Sequence, residues 1–149
     1  MWRKARSLMR YHLVAVGRLK NAGLRAACDE YLKRLRRYAR VEEREVKDEA
    51  RLPEAIPGEA RLVALSRSGE SWSSTDLARR TARWDQDGRD VALAIGGADG
   101  LPRALLGRAE RVWSLSPLTF PHELARVIVL EQLYRAFTIR RGEPYHRGS

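Results

Sequence analysis

Residues 91–101 read VALAIGGADGL. A short apolar run passes directly into three glycines, Gly96, Gly97 and Gly100. The run lacks both the length of a helix and a polar alternation, so it reads as a strand covered on both faces. The glycines strip side chains from the backbone at the strand's C-terminal end. Two explanations stand for them: a turn that needs positive φ, or a ligand that approaches the main chain closely. Their spacing is not the Gly-x-Gly-x-x-Gly of a dinucleotide-binding turn. No Gly-Lys-Ser/Thr follows to make a phosphate loop.

Working outward, four more strand-like runs accompany this one, which begins at Asp90: YHLVAV (11–16), VEEREV (41–46), RLVALS (61–66) and RVWSLS (111–116). VEEREV is polar through its middle and belongs at a sheet edge. Helical patterns fill the intervals. Leu24, Ala27, Tyr31, Leu35 and Tyr38 recur at spacings of three and four over 24–38. Segment 73–87 opens on SSTD, a Ser-x-x-Asp cap, and Gly88 closes it. Segment 102–109 is short. Segment 121–137 starts with a proline at a first helical position, and its VIVL run is apolar around most of the helix. Strands alternating with helices predict an α/β domain: a mostly parallel five-stranded sheet flanked by helices. Ligands bind such sheets at the C-terminal strand ends. SRSGESW (66–72), GGADG (96–100) and SPLTF (116–120) therefore line one edge as a pocket.

The chain of 149 residues fits one domain able to bury its own core. A single cysteine, Cys28, excludes a disulfide framework and a multi-cysteine zinc site, in keeping with a reducing compartment. Lys and Arg number 29 against 19 Asp and Glu, a net charge of +10. That excess points to a polyanionic partner. It gathers in WRKAR near the start and in YLKRLRRYAR (31–40). No run approaches the roughly 20 apolar residues of a membrane span. The basic leader lacks the apolar core of a signal peptide. Residues 1–10 are expected to be a flexible leader, and 11–149 one domain.

GESWS (69–73) fails as a nucleophile elbow, because Ser73 stands where glycine is required. His12, His122 and His146 lack metal-ligand spacing, and His122 reads as a capping or packing residue. The ending RRGEPYHR (140–147) sets arginines, a tyrosine and a histidine together. Such a set grips phosphate and stacks on a base; the alternative is a solvated basic tail.

LVAVGRLK near the start, IGGADGL, LSPLTFPHELARVIVLEQLYRA and RRGEPYHR closely resemble the bacterial ribosomal RNA large subunit methyltransferase H family. The resemblance runs from about Tyr11 to Arg147. It implies a SPOUT fold with a C-terminal trefoil knot, and a cytoplasmic homodimer that binds S-adenosylmethionine. It implies methylation of N3 of a pseudouridine in helix 69 of 23S rRNA, on the assembled 70S ribosome. By position, the cofactor contacts would be Leu65, Gly96, Gly97, and Leu115, Ser116, Pro117, Leu118, Thr119 and Phe120. The glycines would let main-chain groups reach the cofactor. Tyr145 and His146 are the candidates for handling the N3 proton. Arg126 and Arg147 are those for charge stabilisation and phosphate grip. The apolar breadth of the last helix favours a dimer. The tail after it is expected near the pocket mouth, where it could complete a partner's site. The chain departs from the family in its leader, in a shorter 51–59 loop and in SRSGESW. Two rivals stand: a non-catalytic ribosome- or RNA-binding module, and a knotted tRNA methyltransferase. GGADG together with LSPLTF argues against the former, which needs no such pocket.

Overall fold

A computed structural model describes residues 9–146, of which His146 by its backbone alone. Five strands form one parallel sheet: β1 (Arg10–Val16), β2 (Arg40–Val46), β3 (Arg61–Ser71), β4 (Val91–Ile95) and β5 (Arg111–Ser114). Their order is β2-β1-β4-β3-β5. The expected parallel five-stranded sheet flanked by helices is what the chain adopts, and VEEREV is indeed an edge strand. The helices are α1 (Ala22–Leu35), α2 (Leu52–Ala55), α3 (Ser74–Asp87), α4 (Arg103–Arg108) and α5 (His122–Arg140). Sequence periodicity had no signal for the short turn Glu49–Arg51 that leads into α2.

Strand periodicity sorts the core into two layers. Tyr11, Leu13, Val63, Val91, Leu93 and Ile95 face α1, α3 and α5, where Leu35, Leu77, Val129, Leu130 and Leu133 are fully or almost fully buried. Val14, Val16, Leu62, Ala92 and Ala94 face the other way, toward Leu52, Ile56 and Leu105. Small residues on β4 let the short α2 and α4 close that thinner side. Met9 is 4% exposed and packs with the first layer. Residues 1–8 lie outside the described part.

Local signals bound α3 as read, whereas α1 stops at Leu35, three residues before the expected Tyr38. Ser73 caps α3 in a reciprocal box with Asp76, and Gly88 closes it in the left-handed region. α5 runs three residues past Phe137. Ala125, Val129, Leu130, Leu133, Ala136 and Phe137 are buried between the sheet and the two helices beside it, while Leu124 and Ile128 stay half-buried outside that cluster.

Candidate active site

β4, β3 and β5 are neighbours in the sheet, so their C-terminal ends open on one cleft of about 710 Å³. That size suits a small-molecule site. Three loops and the start of α5 build it. The first loop leaves β3. Leu65 pairs with Trp113 of β5, the chain then bulges, and Glu70 pairs with Trp113 again. The excursion carries Ser66, Arg67 and Ser68 into the cleft wall. Gly69 lets it return, because a β-carbon there would collide with the Val112 carbonyl of β5. The sequence reading expected a loop from Ser66 onward and missed this glycine, which shows only against a non-local strand.

The second loop, 96–100, answers the question raised by its glycines. Gly97 and Gly100 form an isolated antiparallel bridge, with Gly100 N–H donating to Gly97 O at 3.0 Å. A β-carbon on Gly96 would run into the backbone of Gly100. One on Gly97 would sit 3.0 Å from Val16 Cγ1 and 3.1 Å from a Glu49 carboxylate oxygen. Gly100 itself has φ +76°. The loop's own folding demands Gly96 and Gly100 and leaves little room at Gly97, and that folding turns a bare main chain toward the cleft. Both explanations offered by the sequence therefore meet here: a strained turn and an approachable backbone.

The third loop follows β5. Ser114 Oγ donates to Ser116 O, and Ser116 Oγ accepts from Leu118 N–H, folding 114–118 tightly. Of the nine residues expected to contact a cofactor, Leu65, Gly96, Gly97, Leu115, Ser116, Leu118, Thr119 and Phe120 line the cleft. Pro117 does not. Leu118 is 68% exposed at the rim. Arg67 and Asp99, which lie in the expected pocket loops but outside the expected cofactor contacts, also face the cleft, and so does His122, which was expected only to cap or pack. His122 is part of the wall because α5 begins there. Composition gave no sign of that, since only the fold brings α5 under β4.

Arg126 is not a phosphate grip. Its side chain is fully buried, 2.5 Å from Glu45 and 3.3 Å from Glu43, and it donates to Gly17 O. Arg25 closes the cluster against Glu43 at 2.5 Å. One turn into α5, Arg126 points at β2 and β1, away from solvent. It ties the cleft-lining start of α5 to two strand ends. Cys28 lies beside this cluster; burial, then Glu43, pushes its thiol up to about 11, so it is no nucleophile at neutral pH.

Within the described residues, Arg140 to Tyr145 do not line their own chain's cleft. Gly142, at φ +67°, turns the chain back after α5. Tyr145 then packs edge-on against Tyr134, donates to Glu131 at 2.9 Å and shares a 3.1 Å hydrogen bond with Tyr31 of α1. That anchor is roughly 14 Å along the helix axis from His122. Burial and these partners raise the Tyr145 phenol above its ordinary range, making it a poor base. The His146 side chain and Arg147 lie outside the described residues. The basic 31–40 stretch is partly spent inside the chain: Arg34 holds Glu30 and stacks over Tyr31 and Tyr134, and Arg37 reaches Glu143.

With this geometry in place, comparison with known proteins gives the chain's family. The family profile described as "Predicted SPOUT methyltransferase" matches residues 9–146. This chain belongs to the SPOUT methyltransferase family. The chain is 47% identical to Ribosomal RNA large subunit methyltransferase H of Anaeromyxobacter sp. (strain Fw109-5), over 93% of this chain and 100% of that protein. It is 44% identical to the protein of the same name from Thioalkalivibrio sulfidiphilus (strain HL-EbGR7), over 93% and 99%. A probable methyltransferase from Bordetella pertussis Tohama I shares the fold at TM-score 0.57 and 15% identity, over 89% of this chain and 96% of that one. So does a SpoU methyltransferase from Streptomyces viridochromogenes, solved with AdoMet, at 0.52 and 14%, over 93% and 60%. As a SPOUT methyltransferase, the protein transfers a methyl group from S-adenosylmethionine. The cleft fits that donor in size, in its apolar walls of Leu65, Ile95, Leu101 and Leu115, and in the exposed main chain of two loops. No helix in the described residues is long and apolar enough to cross a membrane.

Proposed function

We propose that this SPOUT methyltransferase modifies large-subunit ribosomal RNA, at N3 of a pseudouridine in helix 69 of 23S rRNA, on the assembled 70S ribosome in the cytoplasm. The observation that carries the reading is the cleft at three adjacent strand ends, in a chain with a net charge of +10 and relatives named for this RNA. The bound donor supplies a sulfonium methyl group; this chain supplies position and charge. The 96–100 and 115–120 loops hold the donor through main-chain groups, and Leu65 and Leu115 exclude water around it. Methyl transfer needs in-line placement above all. N3 must lose its proton, and His146 or solvent accepts it, because Tyr145 is held by Glu131. Arg147 grips phosphate.

The active form in this reading is a homodimer with the C-terminal trefoil knot of its family. The tail is anchored beside Glu131, well away from its own cleft, so His146 and Arg147 serve the partner's cleft. The test is transfer of labelled methyl to 70S ribosomes, free 23S rRNA and tRNA, with mapping of the modified base. Modification of tRNA alone would overturn the proposal. Truncation after Pro144 is expected to leave donor binding intact and lower ribosome methylation at least a hundredfold. Mixing that protein with a cleft-dead variant is expected to restore activity if tails cross between chains.

A further inference from the structure

A second hollow, about 420 Å³, lies where β2 ends against α2. Arg44, Lys47 and Arg51 line it, and all three are exposed. None makes an ion pair within the described residues, unlike Arg25, Arg61, Arg126 and Arg135, which hold carboxylates. Of the two carboxylates in its wall, Glu45 is committed to Arg126, Arg25 and the Leu19 N–H. Glu54 is the remaining one, against three cations. The Gly17 N–H donates to Val46 O at 2.7 Å, which sets the exposed, equally unpaired Arg18 and Lys20 beside the same strand end. The hollow thus concentrates positive charge that the fold itself leaves unneutralised.

Its position gives that charge a use. All five strands are parallel, so β2 ends on the same edge as the cleft. Glu49, in the turn that carries Arg51, places a carboxylate oxygen 3.1 Å from where a β-carbon on Gly97 of the cleft floor would stand. β2 lies two strands from β4, about 10 Å away. A nucleic-acid strand with one base in the cleft passes the hollow with its neighbouring phosphates. Cations contact phosphate without reading sequence, and they position the strand.

We infer that this hollow is a second RNA site, which binds the phosphate backbone next to the nucleotide held in the cleft. The inference rests on the RNA reading above. The test compares Arg44→Gln/Lys47→Gln/Arg51→Gln with a control of equal charge change, Lys33→Gln/Arg36→Gln/Arg83→Gln, at exposed unpaired positions on α1, its end and α3. Ribosome methylation is measured across a salt series, and donor affinity by calorimetry. The hollow variant is expected to raise KM for ribosomes at least tenfold at moderate salt, with kcat and donor affinity unchanged. Its salt slope is expected to fall by about 2, near 0.7 for each lost phosphate contact on a single strand. Equal effects from both variants would mean net charge alone is felt, and would overturn the site. So would an unchanged KM, even if the hollow binds inorganic phosphate. If the wild-type protein binds donor yet methylates no RNA, the proposed function fails by itself. The hollow is then judged by the salt slope for binding a single-stranded RNA, where no difference from control overturns it.

Discussion

The backbone of Gly100 occupies the space that a side chain on Gly96 would need. The two residues hold each other's conformation, and the cleft floor is the result. Gly96→Val is therefore expected to push the 96–100 loop off its bridge, not merely to fill the cleft. Donor affinity should be lost, and the melting temperature should drop as well. Calorimetry and thermal melting decide it: unchanged affinity in the variant would show that the loop is not the donor's floor.

Gly100→Ala separates strain from space. No atom lies within 4 Å of its added β-carbon, yet its φ is +76°. The expected loss is about 1–2 kcal/mol from left-handed backbone alone. Chemical denaturation of the variant reads this directly, and no loss would mean the loop relaxes elsewhere.

Gly69→Ala acts through β5. The new methyl would meet the Val112 carbonyl and so part the strands where the chain returns from its bulge. A destabilisation of about 1–3 kcal/mol is expected. Weaker donor binding should accompany it, because Ser66, Arg67 and Ser68 sit on that bulge.

Arg126→Ala takes the buried cation from Glu43 and Glu45 and leaves them only the part-exposed Arg25. Orphaning a buried charge costs about 3–5 kcal/mol, so with Arg25 still in place the expected loss is about 3 kcal/mol or less. Arg126→Lys keeps the charge but not the reach to Gly17 O, so it should fall between the wild-type protein and Arg126→Ala in a denaturant titration. An exposed arginine serving only phosphate would cost almost nothing when removed.

Acid stability follows from two carboxylates. Burial raises Glu45 and Asp90, but donated hydrogen bonds outweigh it: from Arg126 and Leu19 N–H to Glu45, and from His12 and Arg10 N–H to Asp90. Both are held below their ordinary range. A lowered folded-state value gives stability that is present above the ordinary carboxylate pKa and is lost as pH falls through the lowered one. Unfolding should therefore become easier below about pH 4. In Glu45→Gln/Asp90→Asn the acid-side decline should be shallower, and an identical decline would place the effect on other groups.

The five strands and four of the helices were legible in the sequence because their causes are local; the short α2, in what read as a loop, was not. Period-two and unbroken apolar runs marked the strands, Ser73 with Asp76 and Gly88 bounded α3, and the polar VEEREV announced an edge. The three loops of the cleft were legible too, since parallel strands place their C-terminal ends together. Only the tertiary structure decided what the single residues do. Gly96 is bare because of Gly100, and Gly69 because of Val112 on another strand. Arg126 looked like a free cation until β2 brought two carboxylates to it, and His122 looked like a cap until α5 began under the cleft. The tail could not be placed from its own residues, because Gly142 turns it back to partners on α1 and mid-α5. Local conformation depends on neighbours along the chain; burial, charge pairing and clashes depend on neighbours in space, and only the fold supplies those.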